Sequence, residues 1–150
     1  MKKYFKFILA LASLCPLLAS SCAPNEAPPY VVSKPICLIE RMSGYFNFAG
    51  IEFDFFNAGE KNISDLYVSF IIYDADTKKN PLIGTNIIKV RFNDTIKRQE
   101  LKKLYISLDS YIYESPAKPY LVDFFCITRI SYDDGSLWED PAGVYYTTSY

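Results

Sequence analysis

The sequence predicts an all-β fold, an antiparallel β-sandwich of about seven strands, on three observations. Apolar residues alternate at period two through the strongest hydrophobic segments, clusters of Gly, Asn, Asp and Ser separate those segments, and no amphipathic helix stands out. The chain is also rich in Tyr (13) and Phe (11), side chains that fit a pleated, half-buried surface.

In chain order, the basic residues Lys2, Lys3 and Lys6 lead into an apolar run from Phe7 to Ala19, and small residues precede Cys22. That is the anatomy of a secretory leader. The run is short for a bilayer span, which needs about 20 residues, and Pro16 interrupts it, so cleavage is expected over retention as an anchor. Residues 1–21 are read as the leader. Residues 22–34 contain Pro24, Asn25, Pro28 and Pro29 and few core-forming side chains, and are read as an extended tether. Residues 35–150 then suffice for one domain with its own core.

Within that domain, Ile51, Phe53 and Phe55 alternate with Glu52, Asp54 and Phe56. In the next strand Leu66, Val68, Phe70 and Ile72 share one face, with Tyr67, Ser69, Ile71 and Tyr73 on the other. Val122, Phe124, Cys126, Thr128 and Ile130 are read as one face of a late strand, with Asp123, Arg129 and Ser131 opposite. Turn chemistry falls at Asn57–Asn62, Asp74–Pro81 and Asp133–Ser136. The run Val144–Tyr150 is read as a final structural strand or a loosely attached tail.

Two passages carry resemblances. Leu18-Ala19-Ser20-Ser21-Cys22 resembles a bacterial lipoprotein signal of the looser, spirochaete type, with Ala19 where the commonest form has Leu. The resemblance implies a diacylglyceryl group on the Cys22 sulfur, palmitate-like acylation, loss of residues 1–21 and a cell-envelope location, periplasmic or surface-exposed. The passage from Phe53 to Asp74, with Asn57, Gly59, Lys61 and Ile63 leading to Phe70-Ile71-Ile72-Tyr73-Asp74, resembles the immunoglobulin-like FxLYD-type domain of bacterial exported proteins. Ile130 to Trp138 is similar to the closing hairpin such domains carry. Together these imply an immunoglobulin-like sandwich and say little about activity.

Charge and residue types restrict function. Removing the leader's three basic residues from 16 leaves 13 Lys and Arg against 17 Asp and Glu, a balance of −4. A mildly acidic surface argues against nucleic acid as partner, and Lys97-Arg98 with Lys102-Lys103 reads as a solvated face. The chain has no His, which removes Ser-His and Cys-His catalytic pairs, His-bearing zinc sites and imidazole bases. No Gly-rich phosphate loop is present. The run Asp74–Asn80 opens like a calcium loop and fails at Lys78, so no metal and no cofactor are expected.

A carboxylate pair remains the one catalytic option. Asp133, Asp134, Glu139 and Asp140 bracket Gly135 and Trp138, and acids beside an indole suit a sugar ligand or partner contact. The competing reading gives Asp134-Gly135 the turn and packs Trp138 on the returning strand. Cys37 and Cys126 are the thiols left to the mature domain; an oxidising compartment favours bridging them, whereas a thiol on an apolar face is also a stable small hydrophobe. The expectation is a noncatalytic binding or structural module held to a membrane by lipid, with an envelope protein as candidate partner. The alternative is an exported carbohydrate-active or carbohydrate-binding protein using the acids near Trp138.

Overall fold

The computed structural model describes residues 27–39 and 44–149; the leader and Cys22 lie outside the described residues. Period-two alternation builds the two central strands as expected. In β3 (Gly50–Asn57) Ile51, Phe53 and Phe55 are buried, and in β4 (Ile63–Tyr73) Leu66, Val68, Phe70 and Ile72 are buried while their neighbours are half-exposed. Around them lie β1 (Tyr30–Val32), β2 (Ile36–Leu38), β5 (Ile87–Phe92), β6 (Leu101–Ser107), β7 (Leu121–Tyr132) and β8 (Leu137–Glu139).

These strands form two antiparallel sheets. In one, β3 is central, with β6 along one side and β1 followed by β2 along the other; the second has the order β5-β4-β7-β8. The eight described strands thus fill seven positions, because β1 and β2 share one edge of β3. Tyr30 pairs with Asn57 and Ile36 with Glu52. Between them the Ser33 amide donates to the Asp54 carbonyl (2.9 Å) and the Ser33 hydroxyl accepts from the Asp54 amide (2.8 Å). Pro35, lacking an N–H, interrupts the ladder there. Three positions facing four make an antiparallel β-sandwich, as the period-two pattern predicts.

Phe53, Phe55, Phe70 and Phe125 fill the space between the sheets, with Phe125 edge-on to Phe53 at 4.8 Å between centroids. Burying each such side chain contributes about 1.5–3 kcal/mol. The core begins earlier in the chain than the sequence indicated. Tyr30, inside the 22–34 stretch read as a tether, is 4% exposed, stacks on Phe55 at 5.6 Å and meets Trp138 edge-on at 5.3 Å. The sandwich therefore takes in β1.

The reading of β7 needs correction. Ile72 pairs with Val122, Ser69 with Cys126, Val68 with Ile127 and Tyr67 with Arg129, so β7 carries an extra residue at two places. Each bulge shifts the inward face by one position. Val122, Phe125, Ile127 and Ile130 face the core; Phe124, expected inward, is 47% exposed with φ +47°, against the Tyr146 ring at 4.7 Å.

The proposed Cys37–Cys126 disulfide is absent: both thiols are free and buried. Cys37 belongs to the core between the sheets. Cys126 faces outward from β7, its sulfur 3.5 Å from the Ser69 carbonyl, and is covered by Gly143, where a Cβ would come within 3.2 Å of the sulfur. One sheet's thickness separates their environments. The C-terminal run is docked: Thr147 and Phe125 exchange backbone hydrogen bonds of 2.8 and 2.9 Å, and Ser149 donates to Val122.

The chain enters at the pole that holds the turns after β3, β5 and β7. There Ala58 N–H donates to Pro29, Gln99 N–H to Asn57, and Asp133 N–H to Asn62. Connections 74–86 and 108–120 meet at the opposite pole, tied by Lys118 and Asp76 at 2.7 Å.

Candidate functional site

The β7–β8 hairpin is built as a three-residue loop. Tyr132 N–H donates to Ser136 and Gly135 N–H to Tyr132, with Gly135 at φ +80°, the left-handed position that follows a type I turn and that glycine adopts without steric cost. This loop fixes where the expected acids point. They point apart.

Asp133 accepts from Asn62 Nδ2 at 2.9 Å, which ties the hairpin to the turn after β3. Asp134 accepts from Lys61 Nζ at 2.7 Å and from the Ser136 amide at 2.9 Å. Those hydrogen bonds, Lys61's first, hold its carboxyl far below the usual range. Glu139 sits 3.8 Å from Arg129 Nε across the strand pair. Asp140 is buried and accepts from the Tyr145 amide at 3.0 Å. Carboxylates committed to separate partners do not converge on one reacting bond, and among the described residues no three Cys, Asp or Glu cluster as a metal site would require.

Trp138 is partly buried against the core, edge-on to Tyr30 and 6.3 Å from Tyr145. It forms one wall of a shallow recess of about 350 Å³ with Pro29, Gly59, Lys61 and Tyr132. Lys61 lies 5.6 Å from the Tyr132 ring centroid, so the floor of the recess is itself a packed cation–aromatic pair. Buried Tyr30 has its hydroxyl pKa pushed well up, first by burial and then by Asp140.

Asn57, which the sequence marked only as a turn residue, organises this pole. Its buried side chain donates to Lys61 O at 2.8 Å and Lys97 O at 3.0 Å, while its Oδ1 accepts from Gly59 N at 3.1 Å. At the other pole Asp74, last residue of the Phe-x-Ile-Tyr-Asp run, accepts from Thr77 N at 2.7 Å, Thr77 Oγ1 at 2.8 Å and Asp76 N at 3.1 Å. With Phe70 and Ile72 in the core, that motif is a strand followed by its stop. The basic run is solvated and paired as read: Lys103 meets Glu52 at 2.6 Å and Lys102 meets Asp94 at 3.3 Å.

Two other concavities went unread in the sequence. One, of about 450 Å³, lies at the pole opposite the chain entry between Leu82, Ile83, Tyr111, Tyr113 and Tyr120. The second, also about 450 Å³, lies on the outer face of the second sheet between Tyr67, Lys89, Arg91, Arg129 and Pro141. No family model matches this chain, and a search of curated proteins finds none that matches it.

Proposed function

We propose that the chain is an exported lipoprotein of a bacterial cell envelope, anchored through Cys22 and carrying one FxLYD-like immunoglobulin-type sandwich that binds or braces a partner without catalysis. The observation that carries this reading is the order leader, small residues, Cys22, then a short spacer and a sandwich. Buried acyl chains contribute about 0.8 kcal/mol per methylene, so several chains hold a small domain to a membrane essentially permanently.

The spacer adds an orientation. Seven residues, Ala23 to Pro29, separate Cys22 from β1, and at full extension they span at most about 25 Å. The pole bearing the turns after β3 and β7 therefore faces the lipid, while connections 74–86 and 108–120 face away. The recess beside Trp138 is on the lipid-facing pole. That position, and the hydrogen-bonded partners of Asp133 and Asp134, favour a structural hairpin over a carbohydrate site.

The experiment is expression of the full chain in a diderm bacterium, followed by fractionation and mass spectrometry of the N-terminal peptide. The expected result is an acylated Cys22 as first residue, and loss of membrane association or of processing in Cys22→Ser. An unmodified Cys22 with the leader intact or cut elsewhere overturns the reading.

A further inference from the structure

On the outer face of the second sheet, strand register brings Arg91 of β5, Tyr67 of β4, Arg129 of β7 and Glu139 of β8 into one row. The bulge in β7 creates this row. With Val68 opposite Ile127 and Tyr67 opposite Arg129, Thr128 is the extra residue; an unbroken strand would pair Thr128 with Tyr67 and turn position 129 toward the core. Bulges re-aim side chains in this way.

The guanidinium carbons of Arg91 and Arg129 lie 5.6 and 5.3 Å from the Tyr67 ring centroid. Arg91 is held by Asp65, at 2.6 Å from Nη2 and 2.8 Å from Nε. Arg129 is not held. Its nearest carboxylate, Glu139, is 3.8 Å away, beyond hydrogen-bond length, and its Nε is shielded from solvent with no acceptor. Lys89 shares the outer face with Arg91 at strand period two and has no acid partner among the described residues.

We propose that this groove binds an acidic polypeptide segment in extended conformation, its carboxylates seated on Arg129 and Lys89. Charge complementarity carries the choice of partner: a mature chain of net charge −4 gathers three cations in one groove, Arg91 and Arg129 on the Tyr67 ring and Lys89 beside them, and Arg129 and Lys89 have no hydrogen-bonded carboxylate among the described residues. Both guanidiniums lie against Tyr67, which leaves the ring poorly placed to stack on a sugar and favours carboxylate recognition. The groove also adjoins β5, a sheet edge paired only with β4. A segment crossing the face from this edge meets Lys89 and Arg91 on β5 first, then Tyr67 on β4 and Arg129 on β7. This proposal rests on the binding-module reading and names its partner chemistry.

The test uses the full-length protein in detergent micelles and a fluorescently labelled eight-residue glutamate peptide, with a glutamine peptide and an oligogalacturonate of equal carboxylate number as comparators. The glutamate peptide is expected to bind and the glutamine peptide not to. Arg129→Gln and Lys89→Gln should each weaken binding about tenfold, the loss of one charge-assisted contact. Lys34→Gln, which removes an exposed charge from the other sheet, should leave binding unchanged. Absence of glutamate-peptide binding would mean that Lys89 and Arg91 only deter edge pairing and overturns the proposal. Equal weakening by Lys34→Gln, or tighter binding of the oligogalacturonate, also overturns it. Mass spectrometry of Cys22 in the same preparation separates this failure from failure of the lipoprotein reading.

Discussion

Single side chains at the chain-entry pole set the stability of this fold more than any of the expected site residues. Asn57 satisfies the Lys61 carbonyl and the Gly59 amide and adds a second donor to the Lys97 carbonyl, which also accepts from Glu100 N–H. Leaving such buried groups unpaired costs about 1–3 kcal/mol, so Asn57→Ala is expected to lower the urea unfolding free energy by about that amount. Asn57→Asp should do worse, because a carboxylate then faces the carbonyls of Lys61 and Lys97. Gly135 makes a second, sharper test. Nothing lies within 4 Å of a Cβ built there, yet its φ is +80°, so Gly135→Val should cost about 1–3 kcal/mol in the same assay through backbone strain alone. Gly135→Asn should cost less, since Asn tolerates the left-handed region. Asp133→Asn and Glu139→Gln should move stability only slightly.

Acid titration tests the carboxylates together. Lys61 and Ser136 lower the pKa of Asp134, Thr77 that of Asp74, Lys103 that of Glu52; at Asp109 burial pushes upward and the amides of Phe48 and Asn47 outweigh it. A folded-state pKa below the unfolded one gives stability that is present above the unfolded value, about 4, and is lost as pH falls through the folded value. The urea midpoint is therefore expected to hold from neutral pH to about pH 5 and to drop below it. Because Asp134 is exposed and Glu52, Asp74 and Asp109 are only half-buried, added salt should shrink the drop.

At the scale of strands, period two was enough to find β3 and β4, whose inward faces match the alternating residues from Ile51 to Phe55 and from Leu66 to Ile72. It failed on β7 for a physical reason: two bulges slip the face by one residue each, and no local composition announces them. The assignment of Phe124 and Cys126 to the core followed from that slip; the disulfide was weighed on the compartment instead, and the free, buried thiols agree with the competing reading of Cys as a small hydrophobe. Short strands were illegible for another reason, since β1 offers three residues among prolines and is defined by pairing with Asn57–Phe55. The acids of the hairpin were legible as turn residues, but their partners Asn62 and Lys61 come from a loop distant in sequence. The row through Tyr67 depends on register across four strands and could not be read at all. The thiols follow from the corrected strand. Burial pushes the Cys37 thiol up to about 11 and raises that of Cys126, so neither presents a thiolate at neutral pH. Peptide mapping after maleimide treatment should find both unlabelled in the native protein and labelled once it is unfolded in urea.

Across the whole molecule, the edge positions beside β3 and β7 are filled by the two ends of the described chain. Tyr30 of β1 rests edge-on against Trp138 of β8, and the last residues close over β7. The contact that seals this side of the sandwich joins the earliest strand to the latest one. Pairings this distant along the chain form slowly and only once both partners exist. While the ribosome is still making the domain, the Tyr30 ring can stack on Phe55 but lacks its edge-on contact with Trp138, and β7 lacks the segment that covers Cys126. A nascent chain of this design cannot close this side of the sandwich until the β7–β8 hairpin and residues 143–149 have been made. Under the export proposed above, that order of assembly would let the chain reach a translocation pore before this side of the sandwich had closed.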